Sequence, residues 1–212
     1  MIMNRNTTIG LCLILLGICL MVMVSHFRSN EEELEFTEHE LALIHNSSNG
    51  IMRVLTIEDS LDTEILRATS TDIPQEILLS EDYAALCSLM IATVTHPSQD
   101  GVGIAGPQVG LNRKVVAVQR FDKDGEPFEV YPNIDIIWAS DSLVAGPEGC
   151  LSVPNRRGNV LRNQEIIIEY TYVPKNKKEE IHIKRDTVSG FTAVIFQHEI
   201  DHLKGKLYID RL

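Results

Sequence analysis

The sequence has no surplus of basic residues, and that absence is the first constraint on function. Lys and Arg number 19 against 30 Asp and Glu, a formal net charge of −11. A nucleic-acid backbone calls for a basic face, so nucleic acid is not an expected partner. Cysteine is sparse: Cys12, Cys19, Cys87 and Cys150, with no CxxC pair. Two of these lie in an apolar leader and the other two are far apart, which indicates no disulfide framework. No Ala-x-Ala cleavage site follows the leader, and neither Cys12 nor Cys19 follows the small residue of a lipoprotein signal. Strand-like runs do not alternate regularly with helices, which argues against a doubly wound parallel sheet.

What is present divides into three stretches. Residues 9–24 are an unbroken run of 16 apolar or small residues, a little short of the roughly 20 that a spanning helix prefers. Within residues 1–25 this run is expected to be an uncleaved membrane anchor, with a cleaved signal and a mis-assigned start as alternatives. Residues 26–51 carry Glu31, Glu32, Glu33, Glu35, Glu38 and Glu40 and read as an acidic flexible linker, helical only transiently over 34–44. Residues 52–212 have the pattern of a folded domain, expected to fold and act when it starts at Met52. Its expected elements are a helix over 82–95, strands over 114–119, 129–138 and 165–173, and a weaker strand over 180–184, with a turn at Asp124-Gly125. The fold class is α+β with antiparallel sheets.

The chemistry is concentrated near the C-terminal end, in Gln197-His198-Glu199-Ile200-Asp201-His202. Phe191, Ile195, His198 and His202 follow at spacings of four, three and four, which puts both histidines on one face of a 3.6-residue helix. Two imidazoles so placed can grip one divalent metal, with Glu199 as a general base. Asp186, Thr187 and Ser189 are candidate N-caps, and Gly205 is the candidate C-terminal stop. A third ligand is missing downstream: Tyr208 stands where one zinc-protease pattern has its third His, and no Glu follows Glu199. Cys150, in Glu148-Gly149-Cys150-Leu151-Ser152, offers a thiolate, and Cys-His-His with an open position is a standard catalytic metal arrangement. The loop Gly101-Val102-Gly103-Ile104-Ala105-Gly106-Pro107-Gln108 lacks the third glycine and the lysine of a phosphate loop. Its glycines suit close approach of backbone to a ligand or another chain, with Gln108 supplying an amide.

Together these three blocks resemble the peptide deformylase family, whose blocks run Gly-x-Gly-x-Ala-Ala-x-Gln, Glu-Gly-Cys-Leu-Ser and Gln-His-Glu-x-Asp-His. The resemblance spans about residues 52–212. It implies removal of the formyl group from the N-terminal formyl-methionine of new polypeptides. It also implies one divalent metal held by Cys150, His198 and His202, natively Fe2+, with Zn2+, Ni2+ or Co2+ as substitutes. By the same resemblance Glu199 is the general acid/base, and Gln108 with the Leu151 backbone N–H binds the oxyanion. Gly103 lines the substrate channel, Val102, Phe191, Val194 and Ile195 border the methionine pocket, and Arg157 contacts the peptide. Gly106 replaces the family's second Ala, a change expected to loosen the loop before Gln108. The segment before Met52 is not part of the usual family domain; from its apolar run at 9–24 the expected location is membrane-anchored with a cytoplasmic active site, with soluble and exported forms as the alternatives. A metalloprotease and a non-catalytic relative are the competing functional readings.

Overall fold

The structure is a computed structural model that describes residues 35–174 and 179–212. Helix α1 (Glu38–His45) opens this part, followed by α2 (Ser60–Arg67), the single turn α3 (Gln75–Leu78) and α4 (Glu81–Val94). Strands β1 (Gly103–Ala105), β2 (Val115–Gln119) and β3 (Phe128–Pro132) pair antiparallel in that order. A second antiparallel sheet has the order β4 (Asp135–Ala139), β7 (Glu165–Tyr172), β8 (His182–Ser189). Strands β5 (Leu143–Cys150) and β6 (Val153–Asn163) form a long hairpin. Helix α5 (Gly190–Leu203) packs on β1 and β2 and reaches β4, β6, β7 and β8. The architecture is α+β, with antiparallel sheets packed around one central helix.

Strand β2 explains how two cores meet. Val115 and Ala117 join the core under α4, with Leu86, Met90 and Val94. Val116 and Val118 join the core under α5, with Ala193, Phe196 and Ile200. Alternate residues of a strand point to opposite faces, so a strand buried on both sides reads as a continuous apolar run. Helix α4 starts where Ser80 accepts a hydrogen bond from the Tyr83 N–H at 3.1 Å, as an N-cap serine should.

Some elements differ from the sequence pattern. The strand expected over 129–138 is two strands, broken at Asn133, whose φ of 53° is left-handed. The Asn133 side chain fixes that break by accepting from the Ile73 N–H at 2.6 Å and donating to the Ile73 carbonyl at 2.9 Å. The weak strand at 180–184 extends to Ser189, so Asp186 and Thr187 are strand residues and not caps. Ser189 occupies the cap position without a side-chain bond, and Gly190 turns the strand directly into α5 with φ 63°. Gly205 is left-handed as expected (φ 67°), and an added Cβ would lie 2.2 Å from the Arg67 carbonyl oxygen.

The largest departure lies before Met52. Residues 1–34, including the apolar run at 9–24, lie outside the described residues. Among the described residues no helix is long and apolar enough to cross a membrane. From Phe36, however, the stretch expected to be a flexible linker is folded onto the domain. Thr37 and Glu40 form a reciprocal capping box at the start of α1, and Phe36 and Ile44 are buried in the α4 core. Glu40 is buried against Arg113, with N–O distances of 2.7 and 3.2 Å. Burial alone would raise the Glu40 pKa, but hydrogen bonds from Arg113 and Thr37 outweigh it and hold the carboxylate ionised. A glutamate that reads as linker charge is thus one half of an ion pair with a residue far along the chain. Ile44→Ala is expected to cost about 2 to 4 kcal/mol through the cavity it leaves. A chain starting at Met52 should unfold at lower urea than one starting at Glu35. Equal unfolding midpoints for the two starts would show that α1 adds nothing to stability.

Candidate active site

Helix α5 sets the site because its inner face carries both histidines. His198 Nδ1 donates to Glu148 on β5 at 2.8 Å, which fixes its tautomer and leaves Nε2 for a ligand. Glu148 also accepts two hydrogen bonds from Arg162 on β6, at 2.7 and 2.9 Å. Arg162 donates in turn to Asp201 on α5 at 2.5 Å, and Asp201 accepts two more from Arg211, both at 2.6 Å. Burial works against the Glu148 charge, but Arg162 and then His198 overcome it and bring its pKa down to about 2. Behind His198 the ring of Tyr208 stacks at 6.2 Å between centroids. The tyrosine that replaces a possible third histidine therefore backs the first one.

The β5–β6 hairpin delivers the thiol. Its register shifts between Gly149, which pairs with Arg157, and Cys150, which pairs with Val153, so the irregularity lies on β6 opposite the thiol. Cys150 Sγ comes to 3.3 Å from His202 Nε2, and the donor atoms of Cys150, His198 and His202 all lie within 4.8 Å of one another. Gln108 sits beside them in the 3-10 turn Gly106–Val109. Its Oε1 accepts from the Ala105 N–H at 2.9 Å, and its Nε2 faces Ser152 Oγ at 3.3 Å and Cys150 Sγ at 3.5 Å. The expectation that Gly106 loosens this loop is overturned. A Cβ there would stand 2.6 and 2.7 Å from the carbonyl oxygens of Leu111 and Arg113, so glycine lets the turn close tightly.

Glu199 is buried next to the histidines, and its Oε2 has no partner among the described residues. Burial pushes its pKa up to about 7, which suits proton exchange near neutrality. Gly103 makes room for it: an added Cβ would lie 2.5 Å from Glu199 Oε1. These groups open on a cleft of about 810 Å³. Val102, Gly103, Gln108, Cys150, Leu151, Arg157, Phe191, Val194, Ile195, His198 and Glu199 all line it, and His202 lies buried behind. Sequence reasoning missed Glu148, Arg162, Asp201 and Ser152 as parts of the site. Glu148 and Asp201 each lie within two residues of a ligand, which was the available signal.

With this geometry in view, comparison with known proteins is decisive. The family description "Polypeptide deformylase" matches residues 51–212. The chain belongs to the peptide deformylase family. A peptide deformylase of Leptospira biflexa is 36% identical over 157 residues, covering 70% of this chain and 82% of the relative. "Peptide deformylase 2" of a Nostoc species is 42% identical over 129 residues, covering 58% and 68%. The class I type b peptide deformylase of Acinetobacter baumannii with Met-Ala-Ser bound superposes with a TM-score of 0.64 at 30% identity, covering 76% of this chain and 98% of that one.

The residues of this deformylase site fit a divalent metal. A thiol sulfur and two imidazoles are a borderline-soft donor set. His202 Nδ1 has no partner among the described residues, and burial followed by the charge of His198 drives the His202 pKa well down, leaving a neutral imidazole. At His198 burial opposes protonation, yet Cys150 and Glu148 outweigh it and carry the pKa up to about 10. The Cys150 sulfur and the Glu148 carboxylate that favour a proton there would equally favour a cation.

Gly103→Ala tests how closely the β1 backbone must approach Glu199. The added methyl displaces the carboxylate, so turnover should fall about a hundredfold while metal content stays at wild-type level. Wild-type turnover would mean that Glu199 does not need this position.

Proposed function

We propose that this chain hydrolyses the formyl group from the N-terminal formyl-methionine of newly made polypeptides, with Cys150, His198 and His202 holding one divalent ion. The observation that carries the reading is the convergence of a cysteine and two histidines beside a cleft that also holds a glutamate whose Oε2 has no partner among the described residues. Fe2+ is the ion we favour, with Zn2+, Ni2+ and Co2+ as substitutes; the donor set suits iron and zinc alike. When bound, the ion supplies Lewis-acid polarisation and lowers the pKa of water.

The chain's own residues do the rest. Glu199 takes a proton from the attacking water and returns it to the leaving amine as the C–N bond breaks, yielding formate and a free N-terminus. Charge on the formyl oxygen is met by the Gln108 amide, held by the Ala105 N–H, and by the Leu151 backbone N–H. A donor of this kind contributes on the order of 3 kcal/mol to transition-state stabilisation. Val102, Phe191, Val194 and Ile195 border the methionine side chain, Gly103 lines the channel, and the exposed Arg157 meets the peptide. The Met-Ala-Ser complex of the Acinetobacter relative supports a peptide in this cleft.

We further propose that residues 9–24 tether the enzyme to a membrane, supported by their run of 16 apolar or small residues. The active site would face the cytoplasm, where formylated nascent chains emerge.

Formate release from formyl-Met-Ala-Ser tests the activity. Glu199→Gln should keep its metal and lose at least about a hundredfold in kcat; near-normal turnover by the metal-loaded variant removes Glu199 from the reaction. Cys150→Ser should lose most of its metal by elemental analysis, and full occupancy would refute the ligand assignment.

A further inference from the structure

Beside the active-site cleft lies a second cavity, of about 350 Å³, within the size range of small-ligand sites. Strands β5 and β6 form one wall through Val144, Gly146 and Val160, and α5 forms the other through Phe191 and Val194. Its lining is predominantly apolar. The one guanidinium at its edge, Arg162, is committed to Glu148 and Asp201. It adjoins the cleft: Pro147, Glu148, Phe191 and Val194 line both spaces.

Gly146 is what leaves this space open. Alternation along β5 puts Val144, Gly146 and Glu148 on one face, and Gly146 pairs with the buried Val160. A Cβ at Gly146 would meet nothing within 4 Å, so glycine here answers no packing demand, and its φ is not in the left-handed range. A larger side chain at this position would grow into the cavity. Phe191 and Val194, proposed above as walls of the methionine pocket, then have apolar space on their far side.

We propose that this cavity is an annex to the pocket for the first side chain of the substrate. It would take unbranched apolar side chains longer than methionine. The proposal rests on the deformylase reading of the cleft and on Phe191 and Val194 bordering that pocket. Each further methylene that is buried should raise kcat/KM by up to about fourfold. A pocket closed at methionine length would reject the longer chain.

The test compares formyl-Met-Ala-Ser with formyl-2-aminooctanoyl-Ala-Ser, whose side chain is two methylenes longer, in wild-type holoenzyme, Gly146→Leu and Val144→Phe. Val144 is 42% exposed, so its replacement should fold even if the Gly146 variant does not, and thermal melting checks both. Wild type should process the longer substrate at least as well as the methionine one. The ratio of the two kcat/KM values should fall at least tenfold in each folded variant. The proposal is overturned if wild type disfavours the longer chain tenfold, or if filling the cavity leaves the ratio unchanged. If wild type releases no formate from formyl-Met-Ala-Ser, the deformylase reading itself fails and takes the annex with it.

Discussion

The structure depends on a buried ionic chain that fastens the β5–β6 hairpin to α5. Glu148 and Arg162 are hairpin residues, His198 and Asp201 are helix residues, and each carboxylate accepts from Arg162. Cys150 reaches His202 only if the hairpin end is held against the helix. An apolar contact would bury as much surface, but it would not fix the hairpin's height along the helix. Breaking one member of such a buried network leaves charge without a partner, commonly at a cost of about 3 to 5 kcal/mol. The metal site is therefore as rigid as this chain of bonds, and the His198 tautomer is set by the same bonds.

The parts of the site that lie close together in sequence were legible there. Two histidines four residues apart declare their common face through helix period alone, and the cleft indeed lies on that face. The β5–β6 hairpin was not legible. Its residues 143–163 include Gly146, Pro147, Gly149, Pro154 and Gly158 with several arginines, and the outward face shows apolar residues such as Leu143 and Leu161. That mixture masks the period-two signal on which strand reading rests. The pairing of Glu148 with Arg162 becomes visible only once the hairpin register is known.

Helix α1 shows the same limit from the other side. A stretch with this density of glutamates reads as linker because local composition cannot supply a core. Phe36 and Ile44 bury themselves in a core built by residues elsewhere, and Glu40 finds Arg113. Arg113 also reaches the Asp72 carbonyl at 3.4 Å, close to the loop that carries Gln108. The glycines were half legible. Gly101 and Gly103 announced a close approach, but not to what, and Gly106 read as a loosening of the loop. Gly103 yields to a carboxylate and Gly106 to two backbone carbonyls, so one serves the chemistry and the other the turn that aims Gln108.

The acid–base role proposed for Glu199 is supported by comparing the two buried glutamates. Glu148 and Glu199 both lie against His198, and burial disfavours the charge of each. Glu148 has Arg162 and His198 as hydrogen-bond partners, and its pKa falls to about 2. Glu199 has no such partner at Oε2 among the described residues, and its pKa rises to about 7. A carboxylate so firmly ionised cannot give a proton back to a leaving amine, whereas one that titrates near neutrality can both take and return it. The contrast thus comes largely from Arg162, which donates two hydrogen bonds to Glu148 and acts on Glu199 only as a charge. Exchanging the two roles would require moving that guanidinium, and Asp201 on the helix holds it where it is.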